Sequence, residues 1–189
     1  MVTTMSLTEA DFMAALHGYI VAATGLDGKV VFRGNQSRMV LPKKGAYCIY
    51  TPLFRRRRGT NLYEFDAVGK PDDKNGVDSL TSLVLVDVQV DFYETNAAQN
   101  AQALEITSRS YYGTDYFKAL ETPVEVRVVS SETPRNLTGI DQSDQYAERW
   151  SVTIICEINS TWSTDLPWFE DVTLKAFKNV DVWFPPSAE

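Results

Sequence analysis

Two long segments alternate apolar and polar residues with a period of two. In Leu80–Tyr93, Val84, Val86, Val88, Val90 and Phe92 fall on one side, and Asp87, Gln89 and Asp91 on the other. In Ala147–Asn159, Trp150, Val152, Ile154, Cys156 and Ile158 fall on one side, and Arg149, Thr153 and Glu157 on the other. Successive strand side chains point to opposite faces, so each segment predicts a strand with one buried and one polar face. Val124–Ser130 alternates through Val124, Val126 and Val128. Val172–Phe184 does so with a break at Lys178-Asn179, which predicts a bend or bulge before Pro185-Pro186. The last three strands follow one another without helices, which predicts antiparallel pairing.

The apolar sheet face needs a second layer, and two helical segments can supply it. Ser6-Leu7-Thr8-Glu9 reads as a capping box with Ser6 as N-cap. Phe12, Leu16 and Ile20 then recur at helical spacing, beside Met13 and Ala23, and Gly25 is the expected stop. Thr95 or Asn96 caps a second helix, AAQNAQALEITSRSYY. Gly113 is expected to interrupt it, with Thr114 capping a further turn. Its alanines, Ala97, Ala98, Ala101 and Ala103, spread round the cylinder. Leu104 and Tyr111 point one way and Ile106 the other, so this helix is expected to pack on both sides. Between the helices, Lys29–Arg33 and Gly45–Phe54 read as strands, with Pro52 placing the end of the second at an edge or bend. Residues 55–78 are rich in Gly, Pro, Asp and Asn and read as a long loop, with room for a short strand at Leu62–Val68. The expected fold is α+β: one domain over residues 1–189, a mostly antiparallel sheet with two main helices packed on it, and a long loop at about 55–78.

Composition excludes several kinds of protein. Hydrophobic residues are 44% and charged residues 23% of 189, a globular balance. The net charge of -7 argues against a duplex DNA binder. The charge is uneven: residues 1–60 hold nine Lys or Arg against three acids, and residues 61–189 hold nine against 22. Such asymmetry suits docking between copies of the chain or onto an acidic partner. Cys48 and Cys156 lie in apolar strand-like runs and are expected to be buried, reduced thiols. The N-terminal MVTTMSLTEADFM has no basic or apolar signal-peptide region, and no apolar run approaches the ~18 residues of a membrane span. The sequons at Asn35, Asn136 and Asn159 are read as coincidental.

Catalytic chemistry finds little to use. His17 is the only histidine and has no nucleophile motif beside it, so a structural role is expected. No zinc ligand set, phosphate-binding glycine loop or other cofactor motif is present. Asp72-Asp73, Asp141/Asp144 and Glu170-Asp171 read as solvated loop acids. Asp87 and Asp91 share a strand face but would be about 13 Å apart, too far for a carboxylate pair on one strand. An outward acidic face explains them, and a magnesium-dependent enzyme ranks last. Tyr111, Tyr112, Tyr116 and Phe117 read as core or interface. The polar feature that stands out is Arg55, Arg56, Arg57 and Arg58 in succession. Arginine gives planar multi-donor contacts to carboxylate or phosphate, so the run is expected to grip a partner. No aromatic residues interleave it, which weakens single-stranded nucleic acid as that partner.

Three segments carry a resemblance when read together. A capped helix leads to KVVF, VDVQVDFY leads directly to ETNAAQNAQAL, and a polar turn leads to DQYAERWSVTIICEIN. This order resembles the neck and tail terminator proteins of tailed bacteriophages, in which a strand, an Asn- and Ala-rich helix start and a Q-Y-x-x-R-W strand recur. The Arg55–Arg58 run and the chain after Trp168 lie outside the match. The resemblance implies a non-enzymatic virion protein, assembled in the host cytoplasm. It would form a ring of typically six subunits at the head-proximal end of the tail tube. Its partners would be other copies of itself, the tail tube protein and head–tail connector or adaptor proteins, with DNA passing through the channel and no membrane. Arg55–Arg58 and the helix bearing Ala101 are then expected at subunit or partner contacts. The alternatives are another neck adaptor or tail completion protein, and a polyanion-binding module built on Arg55–Arg58.

Overall fold

The computed structural model describes residues 3–36, 40–42, 45–66, 75–120, 125–140 and 146–167. In chain order, β1 (Thr3–Met5) leads to α1 (Glu9–Thr24), a 3-10 turn (Gly28–Val30) and β2 (Val31–Arg33). Next come β3 (Tyr47–Arg57), β4 (Leu62–Asp66) and β5 (Asn75–Tyr93), then α2 (Ala97–Ser108) and α3 (Tyr111–Lys118). The described chain closes with β6 (Val126–Ser131), β7 (Arg135–Asn136), β8 (Gly139–Ile140), β9 (Tyr146–Ala147) and β10 (Arg149–Pro167).

The fold is α+β, as the alternation requires. β5 and β10, 19 residues each, pair antiparallel from Arg149↔Tyr93 to Pro167↔Asn75. At strand rise that ribbon is about 60 Å long. β3 and β4 line the outer edge of β5, while β1, β6 and β7 line the outer edge of β10. β2 adds to β3 in parallel, and β8 and β9 form a separate small ribbon. The helices cover one face. α2 lies on β5, β6 and β10, α3 on β6, and α1 on β2 and the other two helices. The core is the expected set: Val86, Val88, Val90 and Phe92 with Val152, Ile154, Cys156 and Ile158, under Phe12, Leu16, Ile20 and Leu104. Both cysteines are free and buried.

Several expectations need correction. Ser6 is not the helix cap, because its amide and hydroxyl both bond Thr161 and extend the β1–β10 pairing. The cap falls two residues later, on Thr8, with Asp11 closing the capping box. Glu9 is thereby freed for other partners. Gly25 ends the helix in the left-handed conformation as read. Within 55–78, the short strand expected at Leu62–Val68 is present as β4, but the described residues at both ends of the span are strand and not loop. β3 continues to Arg57, β4 occupies 62–66, and β5 begins at Asn75, because the long β5 edge offers backbone partners to both. Pro52, which has no N–H to give the ladder, sits at a register shift between Pro52 and Phe54 instead of ending the strand. The second helix breaks at Arg109, not at Gly113, because the Ser110 hydroxyl accepts from the Tyr112 amide and starts a third helix. That restart turns Tyr111 outward, away from Leu104. Lys29 and Val30 belong to the 3-10 turn, and only Val31–Arg33 is strand. The strand expected at Val172–Phe184 lies outside the described residues.

Candidate assembly surface

The sheet face away from the helices carries the acids expected to face outward, but they are ion-paired. Strand alternation places Leu85, Asp87, Gln89 and Asp91 of β5 on it, and register adds Glu157 and Ile155 of β10. Asp87 receives Arg56 at 2.7 Å. Asp91 is buried and receives Arg149 at 3.0 Å and Gln89 at 2.9 Å. Glu157, expected to face out into solvent, is only 1% exposed and receives both Arg58 and Arg127. A buried carboxylate is tolerated only when paired and hydrogen-bonded, and each of these is. Arg149 also lies 5.6 Å over the Tyr93 ring, which stacks on Tyr47 at 4.6 Å. Burial works against the Arg149 charge, but Asp91, together with Tyr93 and Tyr47, more than offsets it and the net direction is upward.

The arginine run is therefore part of a strand end whose members alternate between faces. Arg56 and Arg58 reach across the polar face to Asp87 and Glu157. Arg55 turns to the helix side and meets Glu9, which also takes Arg33 at 3.5 Å. Only Arg57 has no ion pair among the described residues. Each paired guanidinium remains about half exposed, so the run still contributes to the outer surface. Sequence reasoning missed the pairing because the partners lie 31 to 99 positions away. The signal that could have found it is the period-two placement of Asp87 on the neighbouring strand β5 and of Glu157 on the next strand, β10.

Ala101 is fully buried against the chain's own core, so it sits on the sheet side of α2. The outward side of the helical layer carries Ile106, Tyr111 and Tyr112, all exposed. His17 donates from Nε2 to the Gly28 carbonyl at 3.0 Å, a structural tie between α1 and the turn that follows it. Among the described residues no group of His, Cys, Asp or Glu is arranged to hold a metal ion, and no helix is long and apolar enough to cross a membrane.

The sequence profile of phage neck terminator proteins matches residues 10–181, nearly the whole chain. The chain belongs to the phage neck terminator protein family. A search of curated proteins gave no match. Membership makes this a structural protein of the phage neck, with a place in the virion tail.

Proposed function

We propose that the chain forms a ring at the head-proximal end of the tail tube, stops tube elongation there and presents a joining surface to the head connector. The family match over residues 10–181 carries this reading. The exposed apolar residues outside α2 and α3 support it, since apolar patches on a folded chain mark contact surfaces. The ring is a homo-oligomer, typically a hexamer, whose head-to-tail contacts close by rotation. It assembles in the host cytoplasm, meets the tube protein on one side and connector or adaptor proteins on the other, and lets DNA pass through its channel. The polyanion-binding alternative loses ground because three of the four run arginines already hold carboxylates of the same chain.

Two measurements test the reading. Native mass spectrometry across concentration and salt is expected to give one discrete closed oligomer. In cells lacking the protein, infection is expected to give free heads and tubes of uncontrolled length, and the purified protein should restore joining in the lysate. Tubes of normal length without it would overturn the terminator role. Normal length with failed joining would favour a neck adaptor.

A further inference from the structure

The sheet has an open edge at β4. No described strand pairs its outer side, and all five of its residues, Leu62–Asp66, are exposed. Three of them, Leu62, Tyr63 and Phe65, are large and apolar. An exposed apolar edge with neither lysine nor proline is a template for another strand. Register sorts its side chains. Tyr63 continues the row of Leu80 and Trp162, on the face that the helices cover nearer Phe92. Glu64 continues the row of Ser79 and Ser163 on the opposite face, and it has no ion pair among the described residues.

The chain beyond β10 carries the complement. Residues 168–189 follow Pro167, and 172–184 is the stretch whose alternation reads as strand. Laid antiparallel to β4 with Lys175 opposite Glu64, it sets Leu174 opposite Phe65, Ala176 opposite Tyr63 and Phe177 opposite Leu62. Apolar then meets apolar on both faces, and lysine meets carboxylate. The break in its pattern at Lys178-Asn179 falls just past Leu62, where β4 begins.

Direction and reach select this edge. β10 runs to Pro167 opposite Asn75, at the end of the sheet toward which β4 also runs. A strand that turns back from there is antiparallel to β4. It would be parallel to β1, the other outer strand at this end, which offers three residues only. Crossing β5 and β4 takes three strand spacings, about 14 Å, with about 7 Å of return along the strands. The six steps from Pro167 to Thr173 span about 20 Å, which covers that path.

We infer that residues 172–177 add to the outer side of β4 in the same chain, as a fifth strand beside β1, β10, β5 and β4, with Lys175 next to Glu64. The added strand closes an edge that is otherwise open to pairing between copies, and it does not depend on the ring reading.

Two readouts on the full chain test this. A carbodiimide, which condenses a carboxylate with an amine, is applied to a mixture of 14N- and 15N-labelled protein. Mass spectrometry is expected to find Glu64 joined to Lys175 within one chain, and the link is expected to vanish in Glu64→Gln. No such link, or a link joining differently labelled chains, would overturn the same-chain strand. Amide exchange followed by NMR needs no variant. The amides of Leu62–Asp66 that face away from β5 are expected to exchange at least about a hundredfold more slowly than open-edge amides. Leu174→Pro is expected to return those amides to fast exchange while the amides bonded to β5 stay slow. Fast exchange of the outward amides in the wild type would overturn the proposal, as would protection that Leu174→Pro leaves unchanged.

Discussion

Glu157 on β10 and Arg58 at the end of β3 meet across β5, although 99 positions separate them in the chain. Arg127 reaches the same carboxylate from β6 on the other side. The carboxylate is buried while both guanidiniums are half exposed, so the two directions of removal are unequal. Arg58→Ala or Arg127→Ala alone leaves Glu157 one partner and is expected to cost about 1 kcal/mol. The double variant leaves a buried charge with no guanidinium and is expected to cost about 3 kcal/mol or more, above the sum of the singles. Urea unfolding of the four proteins measures this, and additive losses would show that Glu157 finds another partner.

The two faces of α2 predict opposite outcomes for one substitution. Ala101 is fully buried, so Ala101→Glu puts a carboxylate into the core and is expected to cost about 3 kcal/mol, or to prevent folding. Ile106 is exposed on the outer side, so Ile106→Glu is expected to change stability by no more than about 0.5 kcal/mol. Thermal unfolding of both variants separates them. A loss of association by Ile106→Glu at unchanged stability would mark the outer face of α2 as a subunit contact. Equal stability of the two would show that the helix faces the other way.

The fold could be read where a local pattern carried it. Val84 to Phe92 and Val152 to Ile158 gave strand, inward face and core directly, because the period of two needs no knowledge of partners. Boundaries failed where a distant partner decided them. Ser6 has the right spacing for a capping box, but Thr161 takes its hydroxyl, and nothing near Ser6 announces that. The composition of 55–78 suggested a loop with a short strand at Leu62–Val68; that strand is there, but the β5 edge also recruits Arg55–Arg57 as strand. For the candidate surface, the run of arginines was visible and its use was not, since ion pairs across a sheet depend on register. The tertiary facing of Ala101 was equally hidden, because alanines all round a helix carry no direction.

Alkaline pH should weaken the fold through its thiols. Burial pushes the Cys156 thiol up to about 12 and the Cys48 thiol well above its ordinary 9.0. Burial raises Tyr19 and Tyr50 in the same direction. A group whose folded pKa is raised stabilises the fold fully below its unfolded pKa, and that stabilisation is lost as pH climbs toward the folded value. Stability is therefore expected to hold up to about pH 9 and then fall, by about 3 kcal/mol for Cys156 alone at pH 11. Urea midpoints from pH 8 to 11 measure the slope. Iodoacetamide should label neither thiol in the folded protein at pH 8; rapid labelling, or a flat stability profile, would contradict the burial.

Gly113 lies inside α3, where a solvent-facing glycine would gain about 1 kcal/mol on replacement by alanine. Here the gain is opposed. An added Cβ would lie 3.2 Å from Tyr19 Oη and 3.3 Å from Val128 Cβ, so α1 and β6 pin the helix from two sides. Val128 is anchored by the β6 backbone, and the Tyr19 hydroxyl is held at 3.1 Å by Ser108. Gly113→Ala is thus expected to cost about 1 kcal/mol, and Gly113→Val about 3 kcal/mol. Tyr19→Phe removes the oxygen on one side, so Gly113→Ala should cost less in that background. A double-mutant cycle by urea unfolding reads the coupling. A stabilising Gly113→Ala, or a cycle with no coupling, would show that the close approach of α3 to Tyr19 does not constrain this position.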